Sequence, residues 1–145
     1  MEDYINTQLH KTTLHNLILG EQFDSNEISK SEIFAHELYD ISPNLLNEIL
    51  ILIYNEDISD AKTLIGLLTI ISSFKYKELI PTVTCIALTS FGHKSQEVKE
   101  YAIRAFDIWM APETIKILET YKSNIPWLER YKQSIITKLF NLGGI

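Results

Sequence analysis

Apolar residues recur with a helical period along most of the chain, most clearly over residues 98–118, V-K-E-Y-A-I-R-A-F-D-I-W-M-A-P-E-T-I-K-I-L. Val98, Tyr101, Ala102, Ala105, Phe106 and Trp109 fall at i, i+3, i+4, i+7, i+8 and i+11, which is the stripe of an amphipathic helix. Pro112 then fits the first position of a second helix, where its missing N–H would have no intrahelical partner, and Ile115 and Leu118 supply that helix's apolar face. Two helices joined by about three residues must lie back to back.

The same period divides the rest of the chain. Residues 1–20 pattern weakly: Ile5, Leu9, Leu17 and Ile18 share a face and Gly20 suits a C-terminal cap, while adjacent β-branched Thr12 and Thr13 lower the helix propensity. Residues 21–26 are polar and acidic and predict a loop. Ser29 or Ser31 begins a helix to about residue 40, with Ile33, Phe34, Leu38 and Ile41 inside and His36 on the other side. Ser42-Pro43 starts a helix to about residue 54 that is apolar nearly all round, as expected of one sandwiched between neighbours.

Asp60 caps a helix to about residue 74. Gly66 inside it is unfavourable by about 1 kcal/mol relative to alanine, which predicts a close helix crossing. A helix over residues 77–91 carries Pro81 one turn in, so it either starts late or bends. Ser95 caps the helix of the central motif. Pro126 opens the last one, with Leu128, Tyr131, Ile135 and Leu139 in phase and Gly143 as a left-handed cap.

The pattern also repeats. Sliding the central motif back by 35 residues puts Leu67 on Ala102, Ile71 on Phe106, Phe74 on Trp109 and Ile80 on Ile115, and sliding its first helix forward by 30 puts Leu128 on Val98 and Leu139 on Trp109. Residues 98–118 resemble a HEAT or HEAT-like repeat, whose short forms read V-x-x-x-A-x-x-A-L, then a D-P-E turn, then an apolar second helix. Ala111 stands where such repeats usually have Asp. The resemblance extends over residues 29–142. It implies an all-α protein, a right-handed α–α superhelix of HEAT-like or ARM-like helical hairpins. One domain would span residues 1–145, with 1–28 a weakly helical N-terminal extension and 29–142 the repeats. Such repeats are mostly non-catalytic binding scaffolds, so protein binding is the implied activity.

Composition narrows the class further. A 145-residue chain with 46% hydrophobic and 22% charged residues can bury a core unaided. Its single cysteine, Cys85, has no internal disulfide partner, and its setting between Val83 and Ile86 predicts a buried structural thiol. The start Met1-Glu2-Asp3 lacks the basic and apolar regions of a secretory signal, and no apolar run approaches the roughly 20 residues of a membrane span, so a cytoplasmic location is expected.

The net charge of −6 hides an asymmetry: residues 1–60 hold twelve acids against Lys11 and Lys30, a sum of −10, while residues 61–145 carry eleven bases and seven acids, a sum of +4. In a repeat stack sequence order becomes spatial order, so one end would be acidic.

Chemical motifs are sparse. His10, His15, His36 and His93 with Cys85 give no metal-ligand spacing, and no phosphate loop or nucleophile–base pair is present, so neither catalysis nor a cofactor is expected. Arg104 and Asp107, at i and i+3, read as a solvated ion pair. Trp109 is in phase with the core stripe, whereas Trp127, just after Pro126, is expected to be exposed. The candidate partner-binding residues are therefore Asp24, Glu27, Glu32, Glu56, Asp57, Asp60 and Trp127.

The expected partner is another protein with a basic surface, either a toxin or a complex subunit. A small acidic chain rich in Ile, Asn and Lys is similar in kind to the bacterial immunity proteins that neutralise such toxins. A scaffold subunit and a HEAT-like DNA-binding domain are the alternatives. Nucleic acid is the weaker of these, because bases such as Lys132 and Lys138 leave an excess of only four in the C-terminal half.

Overall fold

The computed structural model describes residues 2–23 and 27–143, and all the secondary structure among them is helical. In chain order the elements are α1 (Glu2–Gly20), α2 (Lys30–Ile41), α3 (Pro43–Glu56), α4 (Ala61–Ser72), α5 (Thr82–Phe91), α6 (Gln96–Trp109), α7 (Ile115–Thr120) and α8 (Pro126–Gly143). Single 3-10 turns, Tyr76–Leu79 and Pro112–Thr114, precede α5 and α7. None of these helices is long and apolar enough to cross a membrane.

Short polar side chains set the helix starts. Ser29 and Glu32 form a capping box on α2, in which the Glu32 N–H donates to Ser29 Oγ at 3.1 Å and the Ser29 N–H donates to Glu32 Oε1 at 3.2 Å. Ser42 accepts from the Leu45 N–H at 3.3 Å, Asp60 from the Thr63 N–H at 3.0 Å and Ser95 from the Val98 N–H at 3.3 Å. Each such cap stabilises by about 0.5–2 kcal/mol relative to alanine.

Helices α2, α4, α6 and α8 touch in succession, as do α1, α3 and α5, and the α4–α6 contact is the broadest. Helix α4 is the most enclosed, with residues 63–68 and 70–72 all buried. Phe106 of α6 is fully buried, stacked on Phe91 at 5.5 Å and edge-on to Trp109 at 5.2 Å. The Trp109 indole N–H donates to the Ile71 carbonyl at 3.0 Å, so this half-buried tryptophan packs with the core and also fastens α6 to α4.

A Cβ added at Gly66 would lie inside van der Waals distance of fully buried Ile18, 3.1 Å from Cγ1 and nearer still to Cγ2. The close crossing expected at that glycine is therefore the one between α4 and α1.

Three expectations about faces are corrected. On α1 the buried set is Thr7, Leu14 and Ile18, and Ile5 and Leu9 are exposed. The helix turns this side inward because it rests on α2, α3 and α4, and Ile18 approaches α4 at a glycine. On α2 the buried residues are Ser31, Ala35 and Leu38, whereas Ile33 and Ile41 point outward. Ser31, Ala35 and Leu38 fall at i, i+4 and i+7 on the side that meets α1, α3 and α4, and Ile33 and Ile41 fall off that side and are left to solvent.

On α5 the buried set Thr82, Val83, Ile86, Ala87 and Ser90 places Cys85 on the opposite side, where its thiol is exposed. Flanking apolar residues do not bury a helical position, because neighbours in sequence point about 100° apart. Of the two alternatives at Pro81, a late start or a bend, the structure has the late start: α5 begins at Thr82.

Candidate interaction surface

Most of the acids singled out in the sequence hold the fold together. Glu32 completes the capping box of α2. Glu21 acts at the same helix end from ten residues upstream, its Oε1 accepting from the Ser31 N–H at 2.8 Å. A carboxylate suits that place because the first N–H groups of a helix are unpaired and carry partial positive charge.

The turn between α3 and α4 is bound in the same way. Glu56 pairs with Lys11 of α1 at 2.7 Å. Asp57 meets His15 Nε2 at 3.0 Å and accepts from Thr63 Oγ1 at 3.2 Å. Asp60 accepts from both the Thr63 N–H at 3.0 Å and its hydroxyl at 2.8 Å. Three of the candidate residues thus tie α1, α3 and α4 together. Glu27 is exposed, and Asp24 lies outside the described residues.

His15, Asp57 and Thr63 are the nearest thing to a catalytic constellation, and their geometry argues against one. Nε2 of His15 faces both Asp57 Oδ2 and, at 3.4 Å, Thr63 Oγ1, so the carboxylate does not orient the ring from its other nitrogen as a triad requires. Thr63 is fully buried, and its single hydroxyl proton is shared between the Asp60 and Asp57 carboxylates, at 2.8 and 3.2 Å. No group of histidine, cysteine and acids among the described residues can hold a metal ion.

Part of the basic half is paired as well: of its eleven lysines and arginines, Arg104, Lys132 and Lys138 have acidic partners among the described residues. Lys132 is 1% exposed, with its ammonium donating to the Tyr121 carbonyl and lying 3.1 Å from Glu129. Hydrogen bonds from Gln133 and the Ser123 N–H, together with Lys132, lower the Glu129 pKa to about 2. Lys138 reaches Asp107 at 2.7 Å and the Tyr131 hydroxyl donates to the same carboxylate at 3.1 Å. Burial, followed by the Asp107 charge, raises the Tyr131 pKa to about 12. Arg104 bonds Glu100 at 3.1 Å and lies over the Tyr101 ring, which corrects the expected Arg104–Asp107 pair.

Among the described acids of the first sixty residues, Glu37, Asp40 and Glu48 are exposed and meet no described partner. Glu37 and Asp40 stand toward the C-terminal end of α2, whose last turn contains no base. Beside them lies an open groove lined by Ile28, Glu32, Ile33, His36, Glu37, Asp40 and Ser73. His36 forms its wall, stacked flat on Phe74 at 3.9 Å with Nε2 at 2.9 Å from Ser73 Oγ. Trp127 is 39% exposed on α8, which makes no substantial contact with α2, so it does not join this surface.

The sequence contained one usable signal for the α2 surface: two acids three apart before a helix end with no base. No protein-family model, curated protein or solved structure matches the chain.

Proposed function

We propose that the chain is a non-catalytic protein-binding module that recognises a basic protein through the outer face of α2. Its specific form would be a cytoplasmic bacterial immunity protein that covers the basic surface of a toxin. The observation that carries this reading is the pair Glu37 and Asp40, exposed, without partners, and placed where a helix end favours cations. A protein that holds Glu21, Glu32, Glu56, Asp57 and Asp60 in defined contacts has ways to satisfy its acids, and it leaves these two open.

The HEAT-like, right-handed superhelical arrangement is part of the same proposal. It is supported by the α2–α3, α4–α5 and α5–α6 contacts between consecutive helices together with the two alternating successions of helices. A stack of this kind presents long helix faces, which suits binding a second protein better than enclosing a small molecule.

The test is retention of a partner from native lysate on the immobilised full chain, followed by surface plasmon resonance with the purified partner. The expected result is an association rate that falls steeply as salt rises from about 0.05 to about 0.5 M. A partner that associates at a salt-independent rate, or a chain that retains duplex DNA and no protein, would overturn the proposal.

A further inference from the structure

Resting on that reading, we infer that the α2 groove takes a basic peptide segment carrying one apolar anchor, with the anchor between Ile28 and Ile33 and a lysine or arginine over Glu37 and Asp40. The groove has a volume of about 450 Å3, room for a large side chain. Its apolar part consists of Ile28 and Ile33, which are 72% and 51% exposed. Its polar part contains three carboxylates, Glu32, Glu37 and Asp40, and no lysine or arginine among the described residues lines it.

Charge fixes the kind of occupant. Glu32 is already held by hydrogen bonds in its capping box, so Glu37 and Asp40 are the carboxylates of the groove with no described partner. They lie three residues apart on one helix face, where like charges repel, and Asp40 also sits in the last turn beside carbonyls that carry partial negative charge. Both effects disfavour the free protein, and one cation placed over the pair relieves both. An acidic or purely apolar segment relieves neither.

The isoleucines supply what charge alone does not. On α2, Ile33 stands one turn before Glu37, so an anchor on Ile33 brings a base one turn away in a helical partner onto the acid pair. The stacked His36 and Phe74 rings give this floor a rigid edge, since His36 is held from both its face and its Nε2.

The experiment is titration of the 15N-labelled full chain with two synthetic peptides of equal positive charge, one an amphipathic Leu/Lys helix and the other Lys/Ser. The Leu/Lys peptide should shift amides of residues 28–41 and Ser73, and bind about tenfold or more tightly than the Lys/Ser peptide. Glu37→Gln with Asp40→Asn should weaken it about tenfold or more while the chain melts no lower than wild type, and Glu48→Gln should change it by less than about twofold. Equal binding of the two peptides overturns the apolar anchor. Shifts on another face overturn the groove while leaving the protein-binding reading intact. Absence of binding by either peptide at low salt overturns both.

Discussion

The turn between α3 and α4 and the C-terminal end of α2 are both acidic, and the structure uses them in opposite ways. In the turn, Glu56 has Lys11, Asp57 has His15, and Asp60 caps the positive end of α4. On α2, Glu37 and Asp40 stand near a negative helix end with no described partner. The same residue type is structural where it meets a helix N-terminus or a cation and is surface where it meets neither. Charge density along a sequence does not distinguish the two, nor does nearness to a helix C-terminus, since Glu56 ends α3 and Asp57 follows it; the cation or helix N-terminus that each acid meets does.

The largest expected effect comes from treating the turn as if it were surface. Reversing Glu56, Asp57 and Asp60 together to lysine removes a cap, an ion pair and a histidine contact, and places a positive charge at the start of α4. A loss of about 2–4 kcal/mol is expected. Chemical denaturation measures it, and a triple variant as stable as wild type would mean that the turn is no more structural than α2's end.

Next in size is the crossing that brings α1 to this turn. Lys11 and His15 reach Glu56 and Asp57 because α1 lies close against α4 at Gly66. In Gly66→Ala the added methyl meets Ile18, a β-branched side chain buried on all sides, so the helices must separate and about 1–3 kcal/mol should be lost. Hydrogen exchange should rise in α1 more than at the C-terminal end of α2. Unchanged melting would show that Ile18 can move aside.

Glu129 gives a third acid for comparison, paired like those of the turn. Its pKa of about 2 in the folded chain lies below the ordinary 4.5, so its contribution is present above the ordinary value and is lost as pH falls through about 2. Its side chain is 30% exposed, and solvent screening keeps the effect to about 1 kcal/mol or less. Melting followed from pH 5 down to about 2 should fall less steeply in Glu129→Gln than in wild type.

The helical class and most helix starts were legible in the sequence, because a capping serine or aspartate and an N-terminal proline act locally. Ser42, Asp60 and Ser95 cap as expected, and Gly66 marks a crossing. Which way α1, α2 and α5 face was not legible. Their stripes offer more apolar residues than the neighbours have room for, and the choice depends on contacts with helices far away in the chain. Ile33 lies outside and Ala35 inside because α2 turns its Ser31, Ala35 and Leu38 side to α1, α3 and α4, which the apolar pattern alone does not reveal. That Glu56 is tied into the fold was hidden for a related reason: it has Lys11 only because α1 folds back across a separation of 45 residues.

The smallest expected change is the one that separates the two regions by sign. Substituting Glu37→Gln and Asp40→Asn removes a like-charge pair and takes a negative charge from the last turn of α2, without breaking any contact the structure shows. The chain should therefore gain about 0.3–1 kcal/mol, where neutralising acids of the turn costs stability. The gain should shrink as salt rises, because exposed charges are screened within about 10 Å at 0.1 M. Thermal melts at low and high salt read this directly. A loss of stability at low salt would mean that Glu37 and Asp40 already have work inside the fold, and the contrast with the α3–α4 turn would disappear.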